Sequence, residues 1–236
     1  MPVNRFYLQE DLPIHSTVIL KEAEHHHLAH VIRLRSGDKM ELVNGQGILA
    51  EGTILEVEKK STSIKITSTA YAPDLFPQFS LAIPLMRPSK LEWIVEKGTE
   101  LGSSSFLFYT ADHSEKEALS HNQLDRIHTL IVSSLKQSGR LYLPSIEIPP
   151  ALSDLFLKDA VLLFGDPQTR NPIPTPKEKK LTIFITGPER GFSSKEQQLL
   201  DARAAKVSLS PHTLRAETAP IAAASILGRL QTIQTV

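Results

Sequence analysis

An α/β protein is what this sequence predicts, with a parallel sheet in residues 79–236 and a small β-rich domain in residues 1–70. Two patterns carry that prediction. From Phe79 onward, short apolar runs of β-favouring residues alternate with stretches whose apolar residues recur at helical spacing, as in a parallel sheet covered by helices. Before that point the apolar residues alternate over short segments around one helical stretch, and Asn44-Gly45-Gln46-Gly47 interrupts them, as in a small barrel built from hairpins. A third observation concerns function. Near the C-terminus two strand-like runs each end in a loop rich in Gly, Pro and Ser that opens into a helix, which is where α/β proteins place a cofactor.

Composition narrows the field. The 236 residues, 41% hydrophobic and 22% charged, are those of an ordinary globular chain able to bury a sizeable core. The absence of cysteine excludes a disulfide framework, a thiolate zinc site and a thiol nucleophile. Residues 1–20 lack an apolar core behind basic residues, and no apolar run reaches membrane-spanning length, which predicts a cytoplasmic protein without a membrane partner. With 26 basic and 26 acidic side chains the whole molecule has no field that would attract a polyanion, so any nucleic-acid contact must be local.

In chain order, basic residues gather near the start, at Arg5, Arg33, Arg35 and Lys39, with His25, His26, His27 and His30 between them. They form a candidate RNA-binding patch, against the plain alternative of a solvated face. His26 and His30 share a helical face, a spacing that suits a divalent metal, but no Glu or Cys at ligand spacing completes a site; the reading is a polar helix surface with no metal. Met40 and Leu42 lead into the Asn44–Gly47 turn, and Ile48, Ile54, Leu55, Val57, Ile64 and Ile66 continue the strand pattern. Residues 71–78, with Pro73 and Pro77, read as a linker.

The second domain opens with an apolar strand from Phe79 to Leu85. Ser89-x-x-Glu92 reads as a capping box for a helix carrying Leu91, Ile94, Val95, Gly98 and Leu101. A strand from Ser105 to Tyr109 follows, then a helix with Leu124, Ile127, Ile131 and Leu135 on one stripe that stops at Gly139. A strand at 145–148, a short helix at 151–157 and a strand at 160–164 continue the alternation. Asp166 to Lys180, with four prolines and no periodicity, reads as an exposed loop. Leu181 to Ile185 is a buried strand by its unbroken apolar character, ended by Gly187-Pro188; Ser193-x-x-Glu196 is a capping box opening the next helix. A last strand is predicted at Val207 to Leu209, ended by Ser210-Pro211, and Pro220 suits the first turn of an alanine-rich helix running to about Gln234.

Neither C-terminal loop matches a Walker loop or a dinucleotide fingerprint. They resemble instead the C-terminal signature of SPOUT methyltransferases, and within these the RsmE family of ribosomal small-subunit uridine N3-methyltransferases. That family has Gly-Pro-Glu-Gly-Gly-Phe-Ser after one strand and Leu-Gly-x-x-Ile-Leu-Arg-x-Glu-Thr-Ala after the next. Here Gly187, Pro188, Glu189, Gly191, Phe192 and Ser193 match the first, with Arg190 in place of a glycine. Leu209, Leu214, Arg215, Glu217, Thr218 and Ala219 match the second, with Ser210 in a glycine's place, and His212, Thr213 and Ala216 also differ. Glu96 to Gly102, Gln137 to Arg140 and the His26 to Asp38 stretch echo further family motifs, so the resemblance spans nearly the whole chain.

The resemblance implies a PUA-like RNA-binding barrel followed by a domain whose C-terminal segment forms a trefoil knot. It implies S-adenosylmethionine held by Thr186, Gly187, Pro188, Glu189, Gly191, Leu209, Ser210, Leu214, Arg215, Thr218 and Ala219. Ribosomal RNA of the small subunit or its assembly intermediate is the implied substrate, gripped by Arg5, Arg33, Arg35 and Lys39. Arg215 is then the candidate to stabilise charge on a uracil carbonyl, with Glu217 or Glu189 to accept a proton or orient Arg215. It also implies a homodimer, for which Ala219, Ala222, Ala223, Ile226 and Leu230 offer an apolar stripe; the same stripe could instead cover the protein's own sheet. Two other readings stay open: a SPOUT enzyme acting on another base or a ribose, and an RNA-binding or assembly protein without turnover.

Overall fold

The computed structural model describes residues 4–74, 78–175 and 180–233. Its chain divides into two compact units, Met1–Asp74 with Val132–Leu143, and Leu75–Ile131 with Pro144–Val236.

In the first unit five strands, β1 (Arg5–Tyr7), β2 (Thr17–Lys21), β3 (Lys39–Val43), β4 (Ile48–Val57) and β5 (Ser61–Tyr71), pair in the order β1-β3-β4-β5-β2. Only β1 and β3 run parallel. The predicted turn joins β3 to β4; the Asn44 side-chain carbonyl accepts from the N–H groups of Gln46 and Ile48, and the loop pairs with residues 141–143 through an antiparallel bridge between Gln46 and Tyr142. Alternation puts Leu20, Leu42, Ile54, Ile64 and Ile66 on one inner face around Phe6 and Leu28. The helical stretch is α1 (Glu22–His26), continued by a π-helical turn at His27–Ile32 that ends at Arg33 in the left-handed region. His25 is buried there against the Thr62 hydroxyl, 2.8 Å away, while the His26 and His30 rings pack at 4.9 Å.

The second unit holds six strands, all parallel: β6 (Phe79–Pro84), β7 (Ser105–Tyr109), β8 (Ser145–Glu147), β9 (Val161–Gly165), β10 (Thr182–Ile185) and β11 (Ala205–Val207). Their order is β11-β9-β10-β6-β7-β8. β6, β7 and β10 are buried along their whole length, which explains why they read as continuous apolar runs rather than alternating ones. Helices α2 (Pro88–Glu100), α3 (His121–Ser138), whose part from Val132 onward belongs to the first unit, α4 (Ser194–Arg203) and α5 (Thr218–Ile233), with a 3-10 helix at Leu152–Leu157, complete the described elements. No described helix is long and apolar enough to cross a membrane.

Three local expectations shift. The Ser89 capping box does not form: α2 starts two residues earlier, with Pro88 at its first position and Arg87 as cap, since a proline already sets the helical φ and needs no donor there. The last strand is Ala205–Val207, not 207–209; α4 passes straight into it, and beyond Val207 the Ser208 N–H turns to the Asn171 carbonyl. The 166–180 loop is anchored where it is described, by Asp166 N–H to the Val207 carbonyl and by burial of Ile173, while 176–179, like 75–77 of the linker, lie outside the described residues.

On α5, Pro220, Ala223, Ala224 and Leu227 are buried within the chain, against β6, β10 and α2, whereas Ala219, Ala222, Ile226 and Leu230 are half-buried. Gly228 permits the closest approach: a Cβ there would lie 2.5 Å from the Leu101 carbonyl oxygen, which as backbone cannot swing aside. Gly228→Ala therefore sets an overpacking cost of about 1–3 kcal/mol against about 1 kcal/mol gained from helix propensity. The expected outcome is a net loss on the order of 1 kcal/mol by urea denaturation; a raised midpoint would show that α2 and α5 pack more loosely than this distance implies.

Candidate active site

β10 fills the gap between β9 and β6, so the loops leaving β9, β10 and β11 converge at the carboxyl edge of the sheet, where α/β sheets bind ligands. A cleft of about 550 Å³ opens there. Its walls come from Gly165 to Gln168 at the end of β9, Thr186 to Glu189 and Gly191 after β10, Gln197, Asp201 and Lys206 from α4 and β11, and Thr213, Leu214, Ala216 and Ala219 around the start of α5.

The loop after β10 is held from several sides. Pro188 to Gly191 is a turn closed by the Gly191 N–H on the Pro188 carbonyl, with Gly191 at φ 77. The capping box read in the sequence is present: Ser193 Oγ accepts the Glu196 N–H at 3.2 Å and Glu196 accepts the Ser193 N–H at 2.9 Å. The second Glu196 oxygen accepts from Asp112 N–H at 2.9 Å, and the Ser193 hydroxyl donates to the Asp112 carboxylate. The buried Glu196 carboxylate, in the first turn of α4, also faces the helix dipole favourably. Below, the fully buried Tyr109 hydroxyl donates to the Thr186 carbonyl at 2.6 Å. Burial, reinforced by Glu196, drives its pKa well above that of a free phenol, so it stays a donor.

Two features mark the cleft as a ligand site. Thr186 Oγ1 is buried without a hydrogen-bond partner, a cost that a native fold normally avoids. Gly187 lies so close to the Phe192 ring that a Cβ would approach it to 2.9 Å, which keeps the backbone at the cleft free of side chain. On the opposite wall Lys206 sits 3.0 Å from Asp201 and 3.7 Å from Asp166. The bond between Lys206 and Asp201 raises the pKa of the lysine and lowers that of the acid.

Two smaller cavities adjoin. One of about 90 Å³, mostly apolar, is lined by Leu209, Ser210, Thr213 and Leu214. The other, of about 400 Å³, is lined by Lys90, Glu189, Leu214, Arg215, Ala216 and Glu217. Thus Thr186, Gly187, Pro188, Glu189, Gly191, Leu214 and Ala219 meet at the main cleft, and Leu209 and Ser210 at its apolar annex. Arg215, Glu217 and Glu189 share the third cavity. Thr218 opens α5, its N–H bonded to the Arg215 carbonyl. Sequence reasoning missed Asp166, Lys206 and Lys90. Asp166 follows an apolar run as Gly-Asp-Pro, the same strand-to-loop signal used for Gly187, and was legible; Lys90 carried no such signal.

In the first unit the four basic candidates separate. Arg33, Arg35 and Lys39 are exposed, but Arg5 lies on β1 opposite Glu41 of β3 and forms a 2.8 Å ion pair with its side chain only 9% exposed. Its guanidinium is committed inside the sheet rather than offered to a phosphate.

A family model described as an RNA methyltransferase domain matches residues 74–228, and one described as an RNA methyltransferase PUA domain matches residues 20–67. The chain is similar to the ribosomal RNA small subunit methyltransferase E of Buchnera aphidicola, 24% identical over 237 residues, with 95% of this chain and 92% of the relative covered. It is similar to the protein of the same name from Aquifex aeolicus, 28% identical over 218 residues, covering 89% and 93%. Among solved structures it resembles a ribosomal RNA small subunit methyltransferase E from Neisseria gonorrhoeae bound to S-adenosyl methionine, with TM-score 0.85, 25% identity and 98% of each chain covered.

Tyr109 is testable apart from any ligand. Tyr109→Phe removes its bond to the Thr186 carbonyl and leaves that buried acceptor short of a donor, which should destabilise the protein by about 1–3 kcal/mol in urea denaturation. An unchanged midpoint would show that the carbonyl is satisfied otherwise.

Proposed function

The chain belongs to the RNA methyltransferase family that this domain model defines, and from that premise we propose that it methylates N3 of a uridine in 16S ribosomal RNA, with S-adenosylmethionine as donor. The observation that carries the reading is the cleft at the β9, β10 and β11 ends with its orphaned Thr186 hydroxyl and its bare Gly187 backbone. A volume of about 550 Å³ lies within the range of small-molecule sites. The apolar annex at Leu209 and Leu214 suits adenine, whose edges take backbone N–H and C=O partners, and Thr186 Oγ1 gains the partner it lacks. S-adenosylmethionine supplies an electrophilic methyl group. The chain's own residues position the two partners and favour loss of the imide proton: Arg215 lies on the acceptor side, with Glu217 or Glu189 as the proton acceptor.

The remaining parts of the reading belong to the same proposal. The segment from β10 through α5 is threaded as a trefoil knot, which fits a strand inserted between two earlier ones and a terminal helix returning to β6 and β10. Residues 1–70 bind RNA through Arg33, Arg35 and Lys39, and residues 79–236 carry the transfer. Two chains pair through the half-buried part of α5, Ala219, Ala222, Ile226 and Leu230, in the cytoplasm.

Expression in a bacterium lacking its own N3-uridine methyltransferase tests the activity: 16S RNA digests should regain N3-methyluridine by mass spectrometry. Gly187→Val should abolish both the signal and cofactor binding by calorimetry. A cofactor affinity equal to wild type in Gly187→Val would misplace the site, and a methyl mark on a ribose or another base would replace the substrate assignment.

The RNA surface has its own test. Replacing Arg33, Arg35 and Lys39 together by alanine should weaken RNA binding and lower its salt dependence, by about one unit of log–log slope for each phosphate left unneutralised. An unchanged slope would remove this patch from RNA binding.

A further inference from the structure

We propose that Lys90, Glu217 and Arg215 form a donor–acceptor–donor array that reads the imide edge of the target uracil, with Lys90 as a catalytic residue. This rests on the uridine N3 reading above. Lys90 lies in the first turn of α2, where a cation opposes the helix dipole, so its position is not explained by helix stability. It lines the 400 Å³ cavity with its ammonium in contact with the Glu189 carboxylate and 3.6 Å from one Glu217 oxygen. The other Glu217 oxygen is 3.9 Å from an Arg215 nitrogen. A single carboxylate thus stands between two cations brought from α2 and from the loop before α5.

Uracil presents the complementary sequence along one edge: a carbonyl acceptor, the N3–H donor, a second carbonyl acceptor. Lys90 has three N–H donors; Glu189 takes one, and Glu217 at 3.6 Å is an ion-pair partner beyond hydrogen-bond reach, so a donor remains for a carbonyl. Arg215, 85% exposed, has donors free for the other. Glu217 is then opposite N3–H. Cytosine offers an acceptor at N3 and a donor beside it, and so meets the array out of phase.

The array also balances the reaction. The N3–H proton passes to the Glu217 carboxylate, and the charge left on the imide spreads to both carbonyls, where Lys90 and Arg215 face it. The N3 electron pair forms the bond to the methyl carbon as the carbon–sulfur bond breaks, and sulfur keeps that pair. The cavity shares Glu189, Leu214 and Ala216 with the main cleft, so acceptor and donor meet across that wall.

The alternative role for Lys90 is a clamp that ties two loops together. Single-turnover methylation of unmodified 16S RNA, at saturating cofactor and RNA, separates the two when combined with calorimetry. Lys90→Met should slow transfer by roughly a hundredfold, as for loss of one donor to a developing anion, with cofactor affinity within about twofold. Lys90→Arg, which keeps the charge and the bonds to both loops, should recover a large part of the rate. Arg215→Ala should behave like Lys90→Met, and cytidine at the target should not react. A Lys90→Met rate near wild type overturns the proposal, as does a rate loss matched by equal loss of cofactor affinity, or equal rates for Lys90→Arg and Lys90→Met. If Lys90→Met does not fold by thermal melting, the comparison of Lys90→Gln with Lys90→Arg decides in the same way. The N3 reading fails separately, when the wild type itself leaves no methyl on uridine N3.

Discussion

Everything at the site follows from where β10 lies. A strand added late in the chain enters between β9 and β6, and its Ile183, Phe184 and Ile185 are buried on both sheet faces. Full burial of each such side chain is worth roughly 1.5–3 kcal/mol, and the ladders to β6 on one side and β9 on the other hold the strand's register. That firmness passes to Thr186, whose carbonyl is tied to Tyr109 of β7 and whose N–H is bonded to Ala82 of β6. The cofactor loop therefore starts from a rigid point; after it Gly187 supplies close approach and Gly191 a left-handed turn.

Much of this was legible because burial writes itself into composition. Strands covered on both faces read as unbroken apolar runs, and the Ser193–Glu196 box is a local hydrogen-bond pair that needs no tertiary information. The box at Ser89 failed for an equally local reason: Pro88 takes the first helical position and outcompetes a serine cap. The strand at 205–207 was displaced because Leu209 looks like a strand residue but is apolar for the annex it lines. Lys90 was illegible altogether. Its carboxylate partners, Glu189 and Glu217, lie far along the chain on other segments, and nothing near it in the chain distinguishes it from any lysine in a first helical turn.

Charge obeys the same logic. A neutral chain can still present cations if some are withdrawn into ion pairs and others are not. Arg5 is spent on Glu41 and Lys136 on Glu24, while Arg33, Arg35 and Lys39 remain outside. Counting basic residues in sequence could not separate the two groups, because the partner acid lies on another element. The distinction has consequences of magnitude: an exposed cation adds to polyanion binding through counterion release, whereas removing one partner of a buried pair costs stability through the charge left behind.

Arg190 and Ser210 stand where the family has glycines. They bear on the alternative of an RNA-binding protein without turnover, since a side chain replaces a hydrogen at each. Of the pair after Glu189, it is Gly191 that takes the left-handed φ of 77; Arg190 adopts a backbone that any residue can, and its side chain is exposed. Ser210 likewise has no positive φ, and its hydroxyl accepts the His212 N–H at 3.1 Å, bracing the loop beside the apolar annex. Neither substitution therefore strains the backbone, and neither places a charge in the main cleft. The positions at which a side chain would be costly, Gly187 for space and Gly191 for conformation, have kept their glycines, so the chemistry of the loops argues for a site that still binds its cofactor.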